Sequence, residues 1–341
     1  MPAPPSLPPI LLVHERGGHV EAVHRGAIAV VDASGAEIFS CGDPWTATWL
    51  RSAAKPFQAA AALRVGVADT FSLSSDEVAL MCASHNGEDR HVETARRILA
   101  RGDFTERDLR CGVHAPLGQH VVRQLARRGV DPSAIHNNCS GKHAGMLLFA
   151  KHLGADPARY LDPTEPVQRA IADAVSDICG CAAPFPTPAT DGCSAVTFRM
   201  PLANLATGFL RLASPTLAPE AFAAPLETAR AAMTTYPEMV AGLDRFDTDL
   251  MAAGRGRFVA KIGAEGLIGC GVVDKGLGIA IKVEDGTWRG YEPVLVALLE
   301  RFADLTDEER ARLRKWHDPI LRNHVGTEIG RRHVVLEDVT G

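Results

Sequence analysis

A chain of 341 residues is long enough for one large domain or two closely joined lobes, and a hydrophobic fraction of 46% suits a globular enzyme with a sizeable core. The formal net charge of -5, with acids and bases interspersed, excludes the clustered basic surface that a nucleic-acid partner needs. No stretch approaches the ~20 apolar residues that span a bilayer, and the Pro-rich opening Met1–Val13 lacks the basic lead and apolar run of an export signal, so a cytoplasmic, membrane-free protein is expected. In that reducing setting the eight cysteines read as free thiols rather than a disulfide scaffold.

In chain order, Ala22–Val31 and Ala36–Cys41 read as a hairpin turned by Asp32-Ala33-Ser34-Gly35. An Ala-rich helix is expected from Ser52 to about Arg64. Helical patterns then dominate from about Ser74 to Gly254, one opened by the capping box Ser74-Ser75-Asp76-Glu77. Another begins near Thr164-Glu165-Pro166, and a third runs from His143 to Leu153 with Gly154 as its stop. Strands return at Arg257–Ile262, Leu267–Val273 and Leu277–Val283, followed by a helix at about Pro293–Ala303. This order predicts an α/β protein of the α+β type. Its antiparallel sheet is built from both chain ends (residues 10–72 and 255–341), and a mostly helical lobe (residues 73–254) is inserted between them. It excludes a nucleotide-binding βαβ series, and no Gly-rich phosphate loop is present.

Three short motifs carry chemistry. Ser52-Ala53-Ala54-Lys55 places a hydroxyl and an amine three apart on one helix face. With thirteen serines and seven lysines, one such S-x-x-K arises by chance about one time in four, so context decides. Pro56 fits only a first helical turn, which puts Ser52 where unpaired backbone N–H groups favour developing negative charge. Ser84-His85-Asn86 ends an apolar helix, and Lys261-Ile262-Gly263 ends a late strand. S-x-x-K, then S-x-N, then K-x-G is the order used by serine β-lactamases and penicillin-binding proteins, and the expected architecture agrees. A serine hydroxyl attacks only when a base takes its proton, and a lysine is that base only when burial or a neighbouring cation keeps it neutral. The thirteen histidines are scattered, and no G-x-S-x-G elbow is present.

Two polar loops are dense in reactive groups: His136 to His143, which contains Cys139 and Lys142, and Thr190-Asp191-Gly192-Cys193-Ser194. Neither forms a C-x-x-C pair, while Cys41, Cys82, Cys111, Cys270 and the Cys179-Gly180-Cys181 run read as small core residues.

The runs Arg51–Pro56, Ser84–Glu88, Asn138–His143, Asp191–Cys193 and Lys261–Gly266 together resemble the rhizobial-type (class 3) bacterial L-asparaginases, over about residues 10–335. The resemblance implies a homodimer of serine-β-lactamase-like fold that cleaves asparagine to aspartate and ammonia. It implies two serine–lysine pairs, Ser52–Lys55 and Ser84–Lys261, and a zinc site of Cys139, Lys142 and Cys193. Arg51, His143 and Asp191 match residues that line the family's pocket, with Arg51 assigned to the substrate carboxylate and Asp191 to its ammonium. Asn86 stands where a small serine is expected, and Val196 where proline is common. The rival readings are another serine–lysine amidase, esterase or β-lactam-recognising relative, and a non-catalytic ligand- or metal-binding protein. Intact Ser52, Lys55, Ser84 and Lys261 weigh against the last.

Overall fold

The computed structural model describes residues 7–181 and 189–336. The opening proline-rich residues 1–6 and the last five residues of the expected sheet lobe lie outside them. Eight described strands form one antiparallel sheet: β1 (Ile10–Arg16), β2 (His19–Val31), β3 (Glu37–Cys41), β4 (Phe258–Gly263), β5 (Leu267–Val272), β6 (Leu277–Val283), β7 (Ile320–Arg322) and β8 (Glu328–Val334). Their order is β7-β8-β1-β2-β6-β5-β4, with β3 paired to β2. The sheet is therefore built from both chain ends, as the order of elements predicts.

The long β2 serves two sets of partners. His19–Arg25 pairs with β1, while Gly26–Val31 pairs with β6 and its last four residues also pair with β3. Gly26 marks the change, and a Cβ there would lie 2.0 Å from the Lys282 carbonyl oxygen. The hairpin turn is held by the Asp32 carboxylate, which accepts from the Ser34 and Ala36 amides at 2.9 and 3.2 Å. The strands β1, β7 and β8 have no clear signature in the sequence. Charged residues of β8, Glu328, Arg331 and Arg332, interrupt its apolar alternation, so a half-exposed edge region gives little period-2 signal.

Several helices bear on the site: α1 (Lys55–Arg64), α2 (Ser75–Met81), α3 (Ser140–His152), α4 (Pro166–Cys179), α5 (Leu202–Ala213), α6 (Phe246–Gly254) and α7 (Glu292–Phe302). The expected capping box is formed, with Ser74 N donating to Glu77 at 2.8 Å. Alternation along the strands feeds two cores. Ile28, Val30, Phe258, Ala260, Ile279 and Ile281 pack with α7 and α6, while Ala29, Val31, Val259 and Ala280 pack with α1, α4 and α5. Helix α5 lies directly on β2, β5 and β6 because Gly269, Gly271 and Gly278 present bare backbone there.

Candidate active site

Period-2 alternation decides where Lys261 points. Val259 on β4 faces the helical core, so Lys261, two residues on, faces the same side, toward the start of α1. There a single turn of 3-10 helix, Arg51–Ala54, runs straight into α1. Arg51 holds a φ of 47°, a left-handed conformation that a side chain rarely adopts, immediately before Ser52. Glu265 and Ser194, beside the Lys261 and Cys193 motifs, are also left-handed, at 62° and 69°.

The chain Ser84-His85-Asn86 leaves α2 as an extended segment pinned to two others. Ser84 N and Asn86 N donate to the Val240 and Ala241 carbonyls at 2.9 and 2.8 Å, and His85 N donates to the Asn138 carbonyl at 3.2 Å. Ser52 and Ser84 both line one cleft of 590 Å³, together with Asn138, Arg245, Asp247 and Glu292. Lys55 is buried behind it. Its Nζ bonds to Ser84 Oγ at 3.0 Å, to the Ala83 carbonyl and, at 3.4 Å, to the Asn138 carbonyl.

The structure joins the two serines and two lysines differently from the expected pairs. Lys55 bonds to Ser84, and Ser52 Oγ makes no hydrogen bond among the described residues. Lys261 Nζ donates to its neighbour's carbonyl, Ile262, at 3.0 Å and lies 3.6 Å from Asp247 Oδ2. The four residues are brought to one place, with Lys55 on α1 reaching across to the second motif rather than turning back to the first.

Burial lowers the Lys261 pKa to about 7; the Asp247 carboxylate opposes this, and the Lys55 charge adds to it. Sequence reasoning missed Asp247, Arg245 and Glu292. Asp247 is buried, its Oδ2 accepting from Ile262 N at 3.2 Å and its Oδ1 without a partner. Burial, with Asp247 adding, raises the Glu292 carboxyl to about 8. No motif in one sequence flags these residues, because only the fold sets the start of α6 against β4 and brings the start of α7 to the same cleft.

The two polar loops meet beside this cleft. Lys142 Nζ donates to Cys193 Sγ at 3.0 Å. A hydrogen bond from Cys193 holds the Cys139 thiol well below its ordinary pKa, and the same bond raises that of Cys193. Burial drives the His143 pKa down to about 4. His143 Nδ1 meets the Tyr160 hydroxyl at 2.7 Å, and Cys193 beside its ring partly opposes the effect of burial. His143 therefore lies behind the loops and does not line the cleft. Arg51 Nε is bonded to Asp191 Oδ1 at 2.6 Å, so the two expected substrate-binding charges neutralise each other.

Among the described residues no group of three His, Cys, Asp or Glu side chains is placed to hold a metal. Two sulfurs and an amine nitrogen do converge, with the His143 imidazole beside them, and that donor chemistry fits a soft or borderline ion.

A family model for L-asparaginase II matches residues 12–334. The chain belongs to the L-asparaginase II family. It is an asparaginase hydrolase, an amidohydrolase acting on a small-molecule substrate. No curated protein matches it. Among solved structures the asparaginase is similar to a β-lactamase from Mycobacterium bovis, at 16% identity over 81% of this chain and 94% of that one, with a TM-score of 0.43. It is also similar to a class C β-lactamase from Rhodobacter sphaeroides, at 15% identity over 86% and 93% of the two chains, with a TM-score of 0.37. Among the described residues no helix is long and apolar enough to cross a membrane.

Proposed function

We propose that the enzyme releases ammonia from asparagine through a serine–lysine acyl-enzyme. The observation that carries this reading is the meeting of Ser52, Ser84 and two buried lysines at one cleft. Ser52, its hydroxyl free of hydrogen bonds and lining the cleft, attacks the side-chain amide carbon as Lys55 takes its proton. Ser84, already bonded to Lys55, is the hydroxyl through which that proton passes. The Ser52 backbone N–H holds the oxyanion, since Arg51 N and Ala53 N already bond to Thr197 Oγ1 and the Leu50 carbonyl. The Ser84–Lys261 side of the cleft protonates the leaving ammonia, and water then hydrolyses the aspartyl ester. The short Lys55–Ser84 bond favours a second assignment, with Ser84 as nucleophile. Trapping the acyl group and finding which serine carries it decides between the two.

The pH dependence follows from the burial of Lys261. Burial keeps Lys261 neutral above about 7, able to take up the proton passed through Ser84 before it is given to ammonia, and charged below it. Activity should therefore fall as pH drops through about 7 and persist into the alkaline range. Lys261→Arg, charged throughout, should be weakly active at every pH and lack that limb. A wild-type profile flat from pH 8 to pH 5 would remove the lysines from the proton path.

We further propose that Cys139, Lys142 and Cys193 hold zinc. Zinc there would add positive charge to the pocket wall and orient substrate. Lys142 must bind as a neutral amine, yet Cys193 and Cys139 raise its pKa against the effect of burial, so affinity should be moderate and fall steeply with acid. Purified enzyme should carry sub-stoichiometric zinc by elemental analysis, and Cys193→Ser should lose it and raise KM with a near-normal melt. Equal zinc content in wild type and Cys193→Ser would strike out the site. A homodimer and a cytoplasmic address remain part of this reading, through the family resemblance alone.

A further inference from the structure

The substrate named above carries an α-carboxylate, and the cleft is otherwise a poor place for one. Its titratable lining among the described residues comprises four acids, Asp244, Asp247, Glu265 and Glu292, the last held largely protonated by burial, and one arginine, Arg245, while Lys55 and Lys261 lie buried behind the serines. The three carboxylates suit an ammonium group, and an anion away from the serines needs a cation on the cleft wall to meet it. Arg51, the cation expected to do so, is engaged by Asp191 at 2.6 Å.

Arg245 is free in the way Arg51 is not. It sits in extended backbone (φ -111°, ψ 139°) as the residue that opens α6, half-buried at the cleft wall. Both of its hydrogen bonds leave from Nη1, to Asn86 Oδ1 at 3.0 Å and to the Ser84 carbonyl at 3.4 Å. No carboxylate of the described residues lies within ion-pair distance of its guanidinium. Asn86 is itself fixed, its Nδ2 donating to Glu88 Oε1 at 3.0 Å and to the Leu243 carbonyl at 2.9 Å. Gly242, at φ 116°, packs so tightly there that a Cβ would lie 2.6 Å from Asn86 Nδ2. A neutral amide orients the guanidinium without cancelling its charge, whereas a carboxylate in its place would occupy it. Because Nη1 is tied to the Ser84 backbone, the remaining donors lie at a fixed distance from the reacting serines. That is the requirement for discriminating an α-amino acid from a simple amide.

We propose that Arg245, oriented by Asn86, receives the α-carboxylate of the substrate and selects α-amino-acid amides over amides that lack it. This rests on the asparagine reading above and adds the group that sets its specificity. Arg245 is a binding residue, and Asn86 is a positioning residue acting through it.

The test compares asparagine with 3-aminopropanamide, which is asparagine without the α-carboxylate. Kinetics are run on active enzyme, and binding is measured by calorimetry on Ser52→Ala protein. Arg245→Met should weaken asparagine binding and raise its KM at least about 30-fold, the usual scale for removing one partner of a buried charged contact, while leaving 3-aminopropanamide within about twofold. Arg245→Lys should restore part of the difference. Asn86→Asp, which neutralises the arginine in place, should mimic Arg245→Met for asparagine alone. Equal losses on both ligands, no loss on either, or a carboxylate-selective loss in Arg51→Met instead would each overturn the proposal. If asparagine binds with this selectivity but is not hydrolysed, the reaction assigned above fails while Arg245 stands. If it is hydrolysed without the selectivity, Arg245 alone falls.

Discussion

Replacing Ser52 with alanine is expected to lower ammonia release from asparagine by at least about a thousandfold, because the covalent route disappears and only binding and oxyanion contacts remain. The fold should hardly notice. Ser52 Oγ makes no hydrogen bond within the described residues, so its removal costs at most about 1 kcal/mol, and the melt should superimpose on wild type. Ser84→Ala is the informative partner. It strips Lys55 of its 3.0 Å hydroxyl contact and leaves the amine facing the Ala83 and Asn138 carbonyls. If Ser52 is the nucleophile, Ser84→Ala still forms aspartyl hydroxamate in hydroxylamine, slowly, and Ser52→Ala forms none. The reverse pattern would move the nucleophile to Ser84. Wild-type turnover by Ser52→Ala would end the serine–lysine reading at that residue.

The largest effect on stability should come from Gly278→Ala. A Cβ on Gly278 would sit 2.0 Å from the Ala206 carbonyl oxygen and 2.6 Å from the Leu210 amide, both backbone atoms of α5. Backbone cannot swing aside as a side-chain tip can, so the whole helix must lift from the sheet. Overpacking of that kind costs about 3 kcal/mol or more, which should lower the melting temperature by several degrees and cut soluble yield. Gly192→Ala, whose added Cβ meets nothing within 4 Å, is the control for stability. A Gly278→Ala protein that melts with wild type would mean α5 does not rest on β6 as described.

Much of this was legible in the chain. Asp32-Ala33-Ser34-Gly35 announced its hairpin because local side-chain hydrogen bonds make the turn. Ser74-to-Glu77 announced its helix because the capping box needs only those four residues. The three motifs lay on the expected kinds of element for the same local reason. What stayed hidden depends on distant chain segments. Lys55 bonds to Ser84 because an extended segment is pinned between Val240 and Asn138, and nothing near Ser52 records that. Asp247 and Arg245 carry no motif at all. They matter because α6 begins against β4, and spacing within one sequence does not report which helix start meets which strand. His143 shows the same dependence on distant segments, since its run resembles pocket-lining residues while the fold sets its Nδ1 against the Tyr160 hydroxyl.

The partition of β2 between early and late strands has a consequence for how the molecule comes into being. Ile28 pairs with Cys41 on one side and with Ile281 on the other, so half of that strand's ladder waits on a partner some 250 residues later in synthesis. Until β4 to β6 emerge, β2 and β3 offer an unpaired apolar edge, and Lys261 is not yet there to meet Lys55. Contacts so distant in sequence are slow to close and leave intermediates open to association. The catalytic assembly thus has no partial form. Ribosome-bound chains ending before β4 should be inactive and dependent on chaperones, and activity should arise in one late step rather than growing with chain length.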